Sequence, residues 1–224
     1  MNLLFDERAS DSPIVEFIWQ TQSDHAGQFI SQATTLWEMV IMTYEGETNV
    51  AIRGLETEAS QAEYPAGAEF FGISLKLGAY IPHLPLEKLS NRNDLILPMA
   101  SSKSFWLAGS AWEIPTFDNA DVFINRLMRQ NMLTIDPVVE MMLNNHPLPL
   151  SLRTAQRRFR HATGVTHKTI LQIERAKRSW ELIKNGVPIL DTAYEMGYYD
   201  QSHLTNALKR FMGETPAQIP LDRF

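Results

Sequence analysis

A chain of 224 residues, 44% hydrophobic and 21% charged, with a net charge of −6 and a pI near 5.5, has enough material for a sizeable core and one or two domains. It has no cysteine, which removes disulfides, Cys-ligated zinc and thiol nucleophiles from consideration. No apolar run approaches the roughly 20 residues of a membrane helix, and "MNLLFDERASD" carries acid where a secretory signal carries its positive start, so a cytoplasmic protein is expected.

From about Pro13 to Pro98 the chain offers short apolar or alternating runs, "IVEFIW", "GQFISQ", "WEMVIMTY", "TNVAIRG" and "EFFGISLKLG". They are rich in β-branched and aromatic residues and are separated by Gly, Asn, Asp, Ser and Pro, so a small antiparallel sandwich or barrel, cupin-like in size, is expected. Its histidines, His25 and His83, stand alone, whereas a cupin-type metal site draws on a close His pair with a further carboxylate and His. Trp19, Trp37, Trp106 and Trp112 could line a ligand pocket, but core packing is the default for scattered aromatics. No Gly-rich phosphate loop or nucleophile elbow occurs, so no catalytic residue, metal or cofactor is assigned.

"FDNADVFINRLMRQNML" sets Phe117, Val122, Phe123, Leu127 and Met128 at helical spacing and predicts a connecting helix within 116–135. From Asp136 onward the texture is helices and turns, and the charge changes sign. Eight basic and 17 acidic side chains precede Asp136, a net −9, whereas 12 basic and 9 acidic follow from it, a net +3. The expected organisation is therefore a two-domain α+β chain. A β-rich domain at 1–115 and the connecting helix at 116–135 precede an all-α domain at 136–224, which is able to meet a polyanion.

The helical part contains a repeat. "SLRTAQRRFRHATG" shifted by 49 positions meets "DQSHLTNALKRFMG", pairing Ser151 with Asp200, Ala155 with Leu204, Phe159 with Leu208 and Gly164 with Gly213. Ser151 and Asp200 suit helix N-caps, the 155/159 and 204/208 pairs suit inward anchors, and the two glycines suit left-handed stops. The opposite face is Leu152, Arg153, Gln156, Arg157 and Arg160 in the first copy. In the second it is Gln201, Ser202, Thr205, Asn206 and Lys209. Arg, Gln and Asn make bidentate contacts to base edges in the major groove, and marginal Lys and Arg neutralise phosphate. A solvated amphipathic face is the plain alternative for either copy alone. Before the second copy, "VPILDTAYEMGYY" supplies a short helix with Pro188 at its start, small Ala193 inward and Gly197 in the turn, which is helix-turn-helix construction. "THKTILQIERAKRSWELIKNG" joins the copies as a helix of about 18 residues with Ile170, Ile173, Ala176, Trp180 and Ile183 on one face.

On these stretches, residues 136–220 resemble the DNA-binding domain of the AraC/XylS transcriptional regulators, two helix-turn-helix units joined by a helix. "ILDTAYEMGYYDQSHLTNALKRFMGETPAQI" carries the most specific part of the resemblance. One departure stands out: the 49-position shift puts Asn144, Pro147 and Leu148 where the second unit has Ala193, Met196 and Gly197, so the first unit is expected to be shortened or rebuilt. The resemblance implies a bacterial, non-enzymatic regulator with double-stranded DNA as partner. It leaves open a small-molecule effector, a homodimer and, for an activator, RNA polymerase. Carried over by position, base contacts fall at Arg153, Gln156, Arg157, Gln201, Ser202 and Asn206, and backbone contacts at Arg160 and Lys209, with Arg158 packing or pairing internally. A protein-interaction adaptor and a metal-free barrel enzyme with a helical appendix are the competing classes, and salt-sensitive duplex binding separates the first reading from both.

Overall fold

The computed structural model describes residues 4–91 and 94–220. In chain order its elements are β1 (Leu4–Arg8), β2 (Val15–Gln22), β3 (Gly27–Ser31), β4 (Trp37–Tyr44), β5 (Glu47–Arg53), β6 (Ser60–Tyr64), β7 (Glu69–Leu75) and β8 (Ala79–Tyr80). Then come β9 (Leu95–Leu97), β10 (Met99–Ser101), β11 (Ser104–Leu107), β12 (Ser110–Glu113), α1 (Ala120–Arg129) and β13 (Thr134–Ile135). Five helices follow: α2 (Pro137–Leu143), α3 (Leu152–Thr163), α4 (His167–Lys184), α5 (Ile189–Glu195) and α6 (Gln201–Met212). The expected order of antiparallel sheet first and helices second is what the chain adopts. The described residues fall into two compact units, one of residues up to 27, 36–55 and 63–167, the other of 28–35, 56–62 and everything from 168 onward.

The first unit is built on a six-stranded sheet in the order β1-β2-β7-β4-β5-β9, antiparallel throughout. One row of side chains explains its register. Ile18 stands opposite Ile73, Ile73 opposite Met39, and Met39 opposite Ile52, all at most 2% exposed. Facing pairs of this kind are what stabilise a sheet, and a slip of one residue would turn the whole row to the other face. "WEMVIMTY" is β4 to the residue. Three of the four expected core tryptophans are buried, but Trp106 is 46% exposed. It lies between Phe105 and Leu107, which β11 turns inward at 0% and 3%, and strand alternation sends Trp106 out.

The expected helix after the sheet is α1, ten residues long, stopping before Asn131, whose φ is +56°. Phe123 packs edge-on against Phe105 and Trp112, with ring centres 6.2 and 6.0 Å away. Val122, assigned above to the apolar stripe, is instead 71% exposed, and Ile124 is buried in its place. Two residues along a helix lie about 200° apart, so only one of the two can face the core. Arg8 ties β1 to this segment through the Phe117 carbonyl at 2.6 Å and the Asp121 carboxylate at 2.7 Å. Burial opposes the charge on Asp121, but the Ser10 hydroxyl and the Arg8 guanidinium outweigh it and hold the carboxyl below its ordinary range.

In the second unit, Ile173, Ala176 and Ile183 of α4 close over Ala193 and Tyr198, and over Leu204, Leu208 and Phe211 of α6. Ala33 belongs to the same core, although it comes from the segment between β3 and β4. Two N–H groups from early segments reach the end of α6: Ala33 donates to the Phe211 carbonyl and Ala59 to the Arg210 carbonyl, each at 2.7 Å. Those carbonyls belong to the last turn, where a helix has no partners of its own. The Thr35 hydroxyl adds a bond to Glu174 of α4 at 2.9 Å.

Candidate nucleic-acid interface

Each half of the repeat builds a short helix, a turn and a twelve-residue helix. Asp136 opens α2 by accepting from the Val138 N–H at 2.9 Å, with Pro137 in the first helical position, where its missing N–H costs nothing. Asn144 and Asn145 end that helix, and the chain then runs through Pro147 and Pro149 to Ser151, which caps α3 by accepting from the Thr154 N–H at 3.3 Å. In the second half Pro188 precedes α5, Gly197 turns the chain at φ +67°, and Asp200 caps α6 by accepting from the His203 N–H at 2.7 Å. Gly164 and Gly213 end α3 and α6 at φ +78° and +77°.

The first unit is altered in its turn. α2 and α5 have seven residues each, but they start at Pro137 and Ile189, 52 positions apart, while α3 and α6 start 49 apart. Three extra residues therefore sit in the first turn, and the Pro147 and Leu148 departure lies in that connection, after the support helix has ended.

The inward anchors Ala155, Phe159, Leu204 and Leu208 are all 0% exposed. That leaves Arg153, Gln156, Arg157 and Arg160 on the exposed side of α3, and Gln201, Ser202, Asn206 and Lys209 on the exposed side of α6. Among the described residues, only Arg160 of these eight has a side-chain partner, Glu87 at 3.3 Å. The structure thus gathers each predicted set onto one exposed helix face, which carries the guanidinium, amide and hydroxyl groups that suit base edges and phosphates. Arg158 is set apart from them. It grips Asp136 with two bonds, 2.8 and 2.7 Å, and this pairing raises the guanidinium pKa above its ordinary value. Asp136 is 5% exposed, so the fork locks α3 onto the start of α2.

Further features around these helices gave no sequence signal, because they depend on residues distant in the chain. The 3-10 turn at Leu86–Lys88 lies against the end of α3, so close that a Cβ on Gly164 would stand 2.8 Å from the Leu86 carbonyl. His161 meets Tyr80 edge-on with ring centres 5.2 Å apart. In the second unit Arg175 lies 4.2 Å over the Tyr198 ring, and His203 meets the same ring edge-on. Among the described residues no group of three or more His, Asp or Glu is placed to hold a metal, and no helix is long and apolar enough to cross a membrane.

Residues 147–219 match the family described as helix-turn-helix domain. Similar solved structures include ToxT from Vibrio cholerae, with 11% identity over 96% of this chain and 97% of that one and a TM-score of 0.36. Another is unsaturated fatty acid bound wild-type ToxT from Vibrio cholerae strain SCE256, with 11% identity over 97% and 95% and a TM-score of 0.37. No curated protein matches the chain.

Proposed function

We infer from the AraC-type helix-turn-helix domain that the chain carries at residues 147–219 that the protein is a transcriptional regulator which reads duplex DNA with two recognition helices, α3 and α6. One observation carries the assignment. Two twelve-residue helices, each opened by a side-chain cap and closed by a left-handed glycine, present an exposed row of Arg, Gln, Ser, Asn and Lys on the side away from their core anchors. A merely solvated helix needs no such repeated chemistry. We assign base-edge contacts to Arg153, Gln156, Arg157, Gln201, Ser202 and Asn206, and phosphate contacts to Arg160 and Lys209.

The β-rich region at 1–115, followed by the connecting segment at 116–135, takes the controlling role in this reading, with a small-molecule effector, self-association or both. What supports it is the construction of the second unit, where Ala33 and Ala59 close the end of α6. A rearrangement of the strands flanking those residues reaches α6 through these two hydrogen bonds.

The test is selection of bound fragments with full-length protein, followed by single variants on the selected and scrambled duplexes at two salt concentrations. Arg153→Ala and Gln201→Ala each cost about 1–3 kcal/mol at the selected site and relax selectivity at one position apiece. Arg160→Ala and Lys209→Ala weaken both duplexes alike and lower the salt slope by about one unit. Unchanged affinity in all four folded variants overturns the assignment.

A further inference from the structure

We propose that α3 recognises thymine through Leu152, whose side chain packs against the 5-methyl group at the edge of the major groove. The contact rests on the DNA-reading assignment above and adds an apolar contact to its polar ones.

Leu152 is 62% exposed, although it is a large apolar side chain in the first position of its helix. A lone surface leucine is ordinary; the repeat is what singles this one out. The 49-position shift that pairs Ser151 with Asp200 and Ala155 with Leu204 also pairs Leu152 with Gln201. Both residues directly follow the cap, and both stand three positions before a fully buried anchor. They therefore point the same way about their helix axes. Gln201 carries a base contact in the reading above. Leu152 brings to the equivalent place a side chain with no donor and no acceptor.

The surroundings keep that place apolar. The first turn, longer by three residues than the second, reaches α3 through Pro147, Leu148, Pro149 and Leu150. Pro149 is exposed and has no N–H to offer. The Ser151 hydroxyl is taken up by Thr154, whose N–H lies at 3.3 Å and whose hydroxyl lies at 3.0 Å. Polar recognition begins only at Arg153, and Gln156 stands one turn along from Leu152. A leucine laid over a base edge that shows only donors and acceptors leaves them without water or partner, which is unfavourable. Of the four bases, thymine alone presents a methyl group in the major groove. Leu152 thus selects a T·A pair beside those that Arg153 and Gln156 read.

The test uses the duplex selected by the full-length protein, remade with one thymine at a time replaced by deoxyuridine, which removes a methyl group and nothing else. One replacement is expected to weaken wild-type binding about 3- to 5-fold, the share of one buried methyl group. Leu152→Ala weakens the thymine duplex by about the same factor and no longer distinguishes thymine from deoxyuridine at that position. Its salt slope stays that of the wild type, because no phosphate contact is lost. Leu152→Gln, which copies the second unit at this position, moves the preference there from thymine to adenine. A wild type indifferent to every deoxyuridine overturns the proposal. So does a Leu152→Ala protein that loses equally on both duplexes, because Leu152 is then a support of the helix and not a reader. If Arg153→Ala and Gln201→Ala still cost affinity, a flat deoxyuridine series removes the methyl contact alone. If no duplex is selected, the DNA reading falls and the methyl contact with it.

Discussion

The two twelve-residue helices of the repeat share their local structure and differ in what holds them. Both α3 and α6 have twelve residues, a side-chain cap at the start and a left-handed glycine at the end. α3 is clamped by an ion pair to the helix before it and by the Leu86–Lys88 turn at its end. α6 is held by the apolar core it shares with α4 and α5 and by two backbone amides on its last carbonyls. Local grammar makes a helix of this type, whereas long-range contacts decide whether it is rigid or adjustable.

The largest expected difference lies at the two closing glycines. Gly164→Ala meets the Leu86 backbone at 2.8 Å, and a backbone cannot swing away. Gly213→Ala meets the Cγ2 of Ile30, a half-exposed side chain that can turn about χ1, and the Cβ of Ala59 at 3.2 Å, which can give only by a few tenths of an ångström. Both substitutions strain a positive φ, so we expect losses of about 3 kcal/mol for the first and about 1 kcal/mol for the second in urea denaturation. Equal losses would mean that the Leu86 turn is no firmer a support than Ile30.

Next comes the ion-pair clamp. Asp136→Asn weakens the buried partner of Arg158, and about 2 kcal/mol should go, less than the about 3–5 kcal/mol of a fully buried pair because Arg158 is 43% exposed. Amide exchange in α3 should quicken while exchange in α6 stays as it was. Quickening of both to the same degree would erase the distinction between the two clamps.

The caps separate the helices by less. Asp200→Ala removes a charged acceptor at 2.7 Å and should cost about 1.5 kcal/mol; Ser151→Ala removes a neutral one at 3.3 Å and should cost about 0.7 kcal/mol. A reversed order in thermal melts would show that the cap is not what starts these helices. The smallest effect belongs to Glu87→Gln, below about 0.5 kcal/mol at low salt and absent at high salt, since both partners of that pair are exposed. A larger loss in the same melts would make Glu87 a structural partner of α3.

What the sequence disclosed was whatever neighbouring residues decide. Cap, anchor and glycine recur within fourteen-residue stretches, and an apolar run such as "WEMVIMTY" is a strand because its own side chains demand burial. Single positions went astray where spacing left two candidates for one inward place, as with Val122 against Ile124 and Trp106 against its neighbours. The first unit was expected to be shortened or rebuilt, and it is rebuilt in its turn: its support helix keeps the length of the second, and three extra residues follow it. The free faces of both helices were legible from the repeat. The Leu86–Lys88 turn against the end of α3 was not, because the two segments are brought together only by the fold.

The two amides that close α6 also set an order of assembly. Ala33 and Ala59 leave the ribosome long before Phe211 and Arg210 exist, so as the chain is made their donors must wait, solvated, until α6 emerges. The last turn of α6 thus closes only with donors supplied from far upstream in the chain. A chimaera that joins these C-terminal helices to another protein's N-terminal half would inherit the helix and its caps but leave two carbonyls without their donors.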